Sequence, residues 1–190
     1  IGMSNLALTS LPVTISDTGT LTINDDEGTA TITIADNATA ENSGSLSFTL
    51  TLNAATASGF TIECSKVDIT AVGGSDYTAS PNPDNVSFAG NAGETQTITV
   101  LLGADDQVET DETFWIVLDQ LYGISPSLVD ISDNATGTIT NDDSAAVTIA
   151  DDAVNEGDNK TLTLTLNNVV SGGFTLDVST LADNATSGTD

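Results

Sequence analysis

The chain has 190 residues, with 28 carboxylates against two lysines, no histidine, no arginine, one cysteine and eight aromatic residues. Without histidine, it cannot form a Ser-His-Asp triad, a Cys-His pair or an imidazole-ligated zinc site. Its net charge of -26 argues against nucleic acid and anionic membranes as partners, because both require a basic surface. We therefore expect a protein that is not an enzyme and whose natural partners are cations.

The hydrophobic content of 38% is too high for a disordered acidic tail, so we expect the chain to fold. No apolar run approaches the roughly 18 residues that a membrane helix requires. The sequence therefore predicts a folded segment without membrane insertion.

Predicted strands follow one another along the whole chain. In two of them, 45–52 and 161–166, threonine or serine alternates strictly with leucine or phenylalanine, which places polar and apolar side chains on opposite faces of a strand. The predicted strands lie at 29–34, 45–52, 95–101, 113–118, 137–140 and 161–166. Clusters of Gly, Asn, Asp and Pro, such as 79–84, separate them. We predict negligible helix content.

Parts of the sequence recur at a spacing of about 115 residues, which is near the commonest size of a domain. Residues 20–26 recur at 138–143, 33–36 at 148–151 and 59–61 at 173–175. About seven short strands in such a unit predict a β-sandwich of immunoglobulin-like architecture. We predict the C-terminal part of one repeat at 1–26, a complete repeat at 27–143 and the N-terminal part of a third at 144–190.

The carboxylates outside the strands gather at Glu41, at Asp76, in the run 105–112 and at Asp142 and Asp143. The ends of alternate strands converge at one pole of a sandwich, so these loops can meet there. Carboxylates brought together without a basic neighbour raise one another's pKa. Calcium is the best neutraliser, because it accepts six to eight oxygen ligands in loose geometry. The alternative is an acidic face that is simply solvated.

Four segments lie at 74–77, 86–90, 105–114 and 137–143. In their order and spacing they resemble the Calx-beta family, a repeat of sodium–calcium exchanger regulatory loops, an integrin subunit and large bacterial surface proteins. The resemblance implies a seven-stranded sandwich with Ca²⁺ held at one pole. The ligands that it implies are Glu41, Asp76, Asp105, Asp106, Glu109, Glu112, Asp142 and Asp143.

Two other classes of protein fit less well. Cadherin-like repeats also place acidic linkers between sandwiches, but their usual arginine-containing motif cannot occur in this chain. A glycan-cleaving enzyme with paired carboxylates needs an aromatic-lined cleft. We instead expect the aromatic residues Tyr77, Phe88, Phe114 and Trp115 in the core or at a corner of the sandwich.

The sequence therefore predicts a calcium-binding tandem-repeat segment of an adhesin or filament that is extracellular or attached to the cell surface. It would act as a calcium-stiffened stalk, in contact with neighbouring repeats and open to lateral or head-to-tail self-association. The alternative is a calcium-sensing regulatory pair of domains. A sensor would respond sharply to micromolar calcium, whereas a stalk would tolerate saturated sites.

Overall fold

The computed structural model describes residues 19–22, 28–155, 157–181 and 183. The only helix in these residues is a three-residue 3₁₀ helix, Glu41–Ser43, and none is long and apolar enough to span a membrane. The strands are Ala30–Ile34 (β1), Asn37–Ala40 (β2), Ser45–Leu52 (β3), Phe60–Asp68 (β4), Asp84–Phe88 (β5), Thr95–Leu101 (β6), Glu112–Tyr122 (β7), Val129–Asp130 (β8), Asn134–Thr140 (β9), Val147–Ile149 (β10) and Leu164–Leu166 (β11).

The first nine strands form two sheets, one in the order β6-β3-β1-β8 and the other in the order β2-β9-β7-β4-β5. Most neighbouring strands are antiparallel, but β1 pairs with β8 and β2 pairs with β9 in parallel. The prediction of an all-β sandwich is confirmed.

The strand count differs from the expected seven, because the described residues contribute nine strands to the two sheets. The chain crosses from one sheet to the other directly after Ile34, which divides the first strand into β1 and β2. Acidic side chains satisfy backbone amides at this break: Asp133 accepts from Ile34 N at 2.9 Å, and Asp36 accepts from Thr136 N at 2.6 Å. The remaining difference is the two-residue strand β8.

Alternation along the strands builds the core between the sheets. In β3 the apolar residues are buried and the intervening Ser45, Ser47 and Thr49 are exposed. Phe114 of β7 lies at the centre, with its ring edge-on to Phe48 and stacked on Tyr77 at a centroid distance of 4.5 Å. A Cβ at position 137 would collide with the Phe114 ring, so only glycine fits there. This packing fixes the start of β7, directly after residues 104–111, which we call the acidic loop.

Four aromatic residues were expected in the core or at a corner of the sandwich. For Trp115 this prediction is wrong. Tyr77, Phe88 and Phe114 are buried, whereas 49% of Trp115 is exposed. Successive side chains of a strand point to opposite faces, so the inward position of Phe114 turns Trp115 outward. It pairs there with Val67 of β4.

The strands β10 and β11 form a separate two-stranded sheet. Its pairs, Val147 with Leu166 and Ile149 with Leu164, have the register of Ile32 with Leu52 and Ile34 with Leu50 in β1 and β3, displaced by 115 and 114 residues. The repeat boundaries stay a prediction. Of 1–26, only 19–22 are described, and the repeat-matched acids Asp25, Asp26, Glu156 and Asp190 lie outside the described residues.

Candidate metal centre

Six of the eight predicted ligands form two groups at one pole of the sandwich, which we call the acidic pole. In each group, one oxygen from every carboxylate lies within 4.8 Å of the others. The first triplet is Glu41, Asp105 and Asp143, and the second triplet is Asp76, Glu109 and Glu112. Asp106 and Asp142 belong to neither triplet, and both are exposed.

The first triplet is assembled by the parallel pairing of β2 with β9. Because Ala40 lies opposite Thr140, the residues that follow the two strands are brought to the same place. Glu41, the first of these, is only 7% exposed, and its Oε1 accepts a hydrogen bond from the Asp105 amide at 2.7 Å. Asp143 Oδ2 is buried and has no hydrogen-bond partner among the described residues.

The second triplet depends on a tight turn that ends at Asp76. Asp76 Oδ2 accepts from the Val72 amide at 2.6 Å, and the Asp76 carbonyl accepts from the Gly103 amide at 2.9 Å. A Cβ at position 103 would collide with the Ser75 carbonyl oxygen, so this close approach requires glycine. Glu112 opens β7 and faces Asp76.

Burial and mutual repulsion raise the pKa of three of these carboxylates. For Glu112, desolvation, followed by its hydrogen bond with Asp76 and nearby negative charges, raises the pKa from 4.5 to about 7. Desolvation is also the main cause for Glu41 and Asp143, and neighbouring carboxylates raise the pKa of both further. For Asp143, these neighbours include Asp106 and Asp142, so the two exposed acids still act electrostatically on the first triplet.

Both lysines form their ion pairs elsewhere. Lys66 Nζ lies 2.5 Å from Asp84 Oδ2 and 2.5 Å from the Pro81 carbonyl oxygen. Lys160 pairs with Asp152. Neither partner belongs to a triplet, so the repulsion at the acidic pole is not relieved by these ion pairs.

A small cavity of about 10 Å³ lies against the second triplet and Glu41 of the first. It has room for about one particle of the size of a water molecule. Most of the side chains around it offer oxygen atoms, which are the ligands of hard divalent cations. The lining residues are Glu41, Asp76, Glu109, Thr110, Glu112, Ile139 and Asn141.

Asn141 is a site residue that the sequence did not identify as one. Its Oδ1 accepts from the Glu109 amide at 2.9 Å, and its Nδ2 donates to the Asp143 carbonyl at 2.9 Å. It therefore links one residue of each triplet through the backbone. The only available sequence signal was its place directly before the Asp142-Asp143 pair.

Comparison with solved structures places the fold beside two crystal structures of Calx domains. The apo-form Calx CBD1 domain is 22% identical with a TM-score of 0.51, and the match covers 60% of this chain and 99% of that one. CBD12 from CALX1.2 is also 22% identical with a TM-score of 0.51, and the match covers 62% of this chain and 48% of that one. At this identity the likeness shows the fold alone.

Comparison with curated proteins gives no match. Among family models, the Calx-beta domain matches residues 23–143, which is more than half of the chain. The match spans both triplets and both sheets of the sandwich. The chain belongs to the Calx-beta family.

Proposed function

We propose that the acidic pole binds Ca²⁺. The observation that carries this proposal is the buried Oδ2 of Asp143, which has no hydrogen-bond partner among the described residues and lies in a cluster of carboxylates without a counter-cation. A buried carboxylate oxygen without a partner costs free energy. A bound cation would supply the missing partner.

The two triplets provide two adjacent sets of ligands. Glu41, Asp105 and Asp143 would hold one ion, with Asp106 and Asp142 at the exposed rim. Asp76, Glu109 and Glu112 would hold a second ion. Calcium suits these sets because it accepts carboxylates in irregular geometry, whereas magnesium demands a near-octahedral shell and keeps several waters. The bound ion would offset charge repulsion, and we propose no catalytic role for it.

Thermal unfolding of the whole chain tests calcium binding. A ligand that binds only the folded state stabilises it by roughly 2.7 kcal/mol at a hundredfold excess over its dissociation constant. We expect millimolar CaCl₂ to raise the Tm by several degrees over a chelator, and MgCl₂ at the same concentration to raise it much less. Equal Tm values in calcium and chelator would refute the calcium site.

We further propose that the chain is a segment of a stalk or filament of tandem repeats at the cell surface or outside the cell. The support is the shared strand register of β1–β3 and β10–β11 and the short connection between β9 and β10, which spans residues 141–146. A connection of this length cannot behave as a free coil when it begins in the acidic pole. The partners would be neighbouring repeats, with lateral or head-to-tail contacts between chains.

Small-angle scattering of the whole chain tests the stalk. Calcium should stiffen the connection. When calcium replaces the chelator, we therefore expect the maximum dimension to change and the distribution of interatomic distances to narrow. An unchanged distance distribution would refute stiffening.

The alternative, a calcium-sensing pair of domains, is favoured by one observation: the acidic loop contacts the downstream segment at Val108 and Val170. A sensor predicts a sharp response to micromolar calcium. A titration that half-saturates near millimolar calcium would favour the stalk.

A further inference from the structure

The acidic loop, residues 104–111, lies between β6 and β7 and has backbone partners both in the Calx-beta domain and in the segment that follows it. Within the Calx-beta domain, Glu41 accepts from the Asp105 amide and Asn141 accepts from the Glu109 amide. Between these two anchors, Val108 uses both of its backbone groups on the downstream segment. Its amide donates to the Val169 carbonyl at 2.9 Å, and its carbonyl accepts from the Ser171 amide at 2.9 Å.

This contact is a short parallel β-bridge between Val108 and Val170. It lies beside the carboxylates, since Glu109 of the second triplet directly follows Val108 and Asp105 of the first is three residues earlier. The loop therefore supplies one carboxylate to each triplet while its backbone is bound by the downstream segment. A shift of the loop backbone would change the distances within both triplets.

The Calx-beta domain has the same carbonyl and amide groups in its own equivalent segment, residues 55–57. With the offset of 114 residues that relates β3 to β11, Val169 and Ser171 correspond to Ala55 and Ala57. Both alanines are exposed, and among the described residues neither the Ala55 carbonyl nor the Ala57 amide has a backbone partner. Beside them lies an open, mainly apolar cavity of about 390 Å³, lined by Gly28, Ala30, Ala54, Ala55, Thr56, Ala57, Ile124 and Leu128.

We propose that the segment 169–171 is a docking strand for the acidic loop of the preceding repeat, and that each repeat thereby fixes the carboxylate spacing of the repeat before it. The segment 55–57 would play the same part for a repeat upstream of the complete domain. This proposal rests on calcium binding at the acidic pole. By linkage, docking that favours the calcium-competent loop must itself be strengthened when calcium binds.

A pair of substitutions at Ser171 tests the proposal in the full chain. Ser171→Pro removes the amide that donates to Val108, whereas Ser171→Ala keeps it. One hydrogen bond contributes only a small net free energy. We therefore expect Ser171→Pro to weaken calcium binding a few-fold, up to about tenfold, in a calorimetric titration. Ser171→Ala should bind calcium like the parent.

Hydrogen exchange of the Val108 amide provides a measurement that does not require calcium. In chelator, this amide should be protected in the parent and in Ser171→Ala, and less protected in Ser171→Pro. Fast exchange in the parent would overturn the docking strand whether or not Ser171→Pro folds. Equal calcium affinity of folded Ser171→Pro and Ser171→Ala would also overturn it while leaving the calcium site intact, whereas a parent without any calcium binding would refute the site itself.

Discussion

The Calx-beta domain, residues 23–143, shields carboxylates from water in two regions, and their charges are balanced differently in each. At the edge of the second sheet, Asp84 is paired with Lys66, whose side chain is 3% exposed. At the acidic pole, six carboxylates share two triplets, and burial raises the pKa of Glu41, Glu112 and Asp143. The first region carries its own cation, and the second does not.

This difference separates a structural ion pair from a site that depends on an ion from solution. The lysine neutralises the charge of its carboxylate partner within the chain, so this pair needs no ion from solution, and removal of either partner leaves an uncompensated charge. Carboxylates that only repel one another leave the folded state sensitive to pH and to divalent cations. A substitution at the ion pair should therefore have the same effect on stability with and without calcium, whereas the effect of a substitution at the acidic pole should depend on calcium.

The largest effect is expected at the ion pair. Lys66→Ala would leave Asp84 without its partner in a partly buried place, and we expect a loss of about 3 kcal/mol in the free energy of unfolding. Denaturant unfolding should give the same loss in calcium and in chelator. Lys160→Ala is the control, because its pair with Asp152 is exposed and should contribute less than about 1 kcal/mol. A loss at Lys66 that calcium abolishes would erase the contrast between the two regions.

At the acidic pole, the effect of Asp143→Asn on stability should differ in sign between calcium and chelator. In calcium we expect the variant to lose most of the stabilisation of roughly 2.7 kcal/mol that a hundredfold excess provides. In chelator it should be at least as stable as the parent, because the substitution removes a charge from a repulsive cluster. Melting curves under both conditions measure this, with Asp119→Asn, an exposed carboxylate on β7, as the control. A variant that is less stable than the parent in chelator, but not in calcium, would contradict the metal site.

The pH dependence follows from Glu112. Its pKa is about 7 in the folded domain and ordinarily 4.5, so between these values the folded state holds a proton that the unfolded state has released. Raising the pH through this window therefore lowers the stability of the metal-free protein. We expect the Tm in chelator to fall from pH 5 to pH 8, and Glu112→Gln to flatten this slope. A parent whose metal-free Tm rises across the window would contradict the repulsive cluster.

The smallest effect is expected at Asn141. Asn141→Ala removes the acceptor of the Glu109 amide and the donor to the Asp143 carbonyl, which should lower stability by about 1 kcal/mol and weaken calcium binding a few-fold. Asn53→Ala is a matched control, because Asn53 accepts from the Thr31 amide at 2.7 Å away from both triplets. It should lower stability without changing calcium affinity. Equal calcium affinities of the two variants would show that Asn141 has no positioning role.

Much of the fold could be predicted, because alternation in segments such as Ser45–Leu52 is a local property that strand geometry translates directly into burial. The division of the first strand could not be predicted, since it depends on Asp36 and Asp133, whose partners lie about 100 residues away. The same limit explains Trp115, because its outward position follows from the inward packing of Phe114.

For the candidate site, the sequence placed all eight carboxylates at one pole, but it could not divide them into two triplets or leave Asp106 and Asp142 outside both. That division depends on hydrogen bonds between distant loops, such as the one from the Asp105 amide to Glu41. Gly103 and Asn141 were missed for the same reason, since their roles appear only when the loops meet.

The most direct test of the calcium site is an anomalous difference map from crystals of the chain grown in calcium. A calcium site predicts a peak about 2.3–2.6 Å from carboxylate oxygens of Glu41, Asp105 and Asp143, which should disappear from crystals grown in chelator. A well-ordered acidic pole with no anomalous peak in calcium would contradict the account.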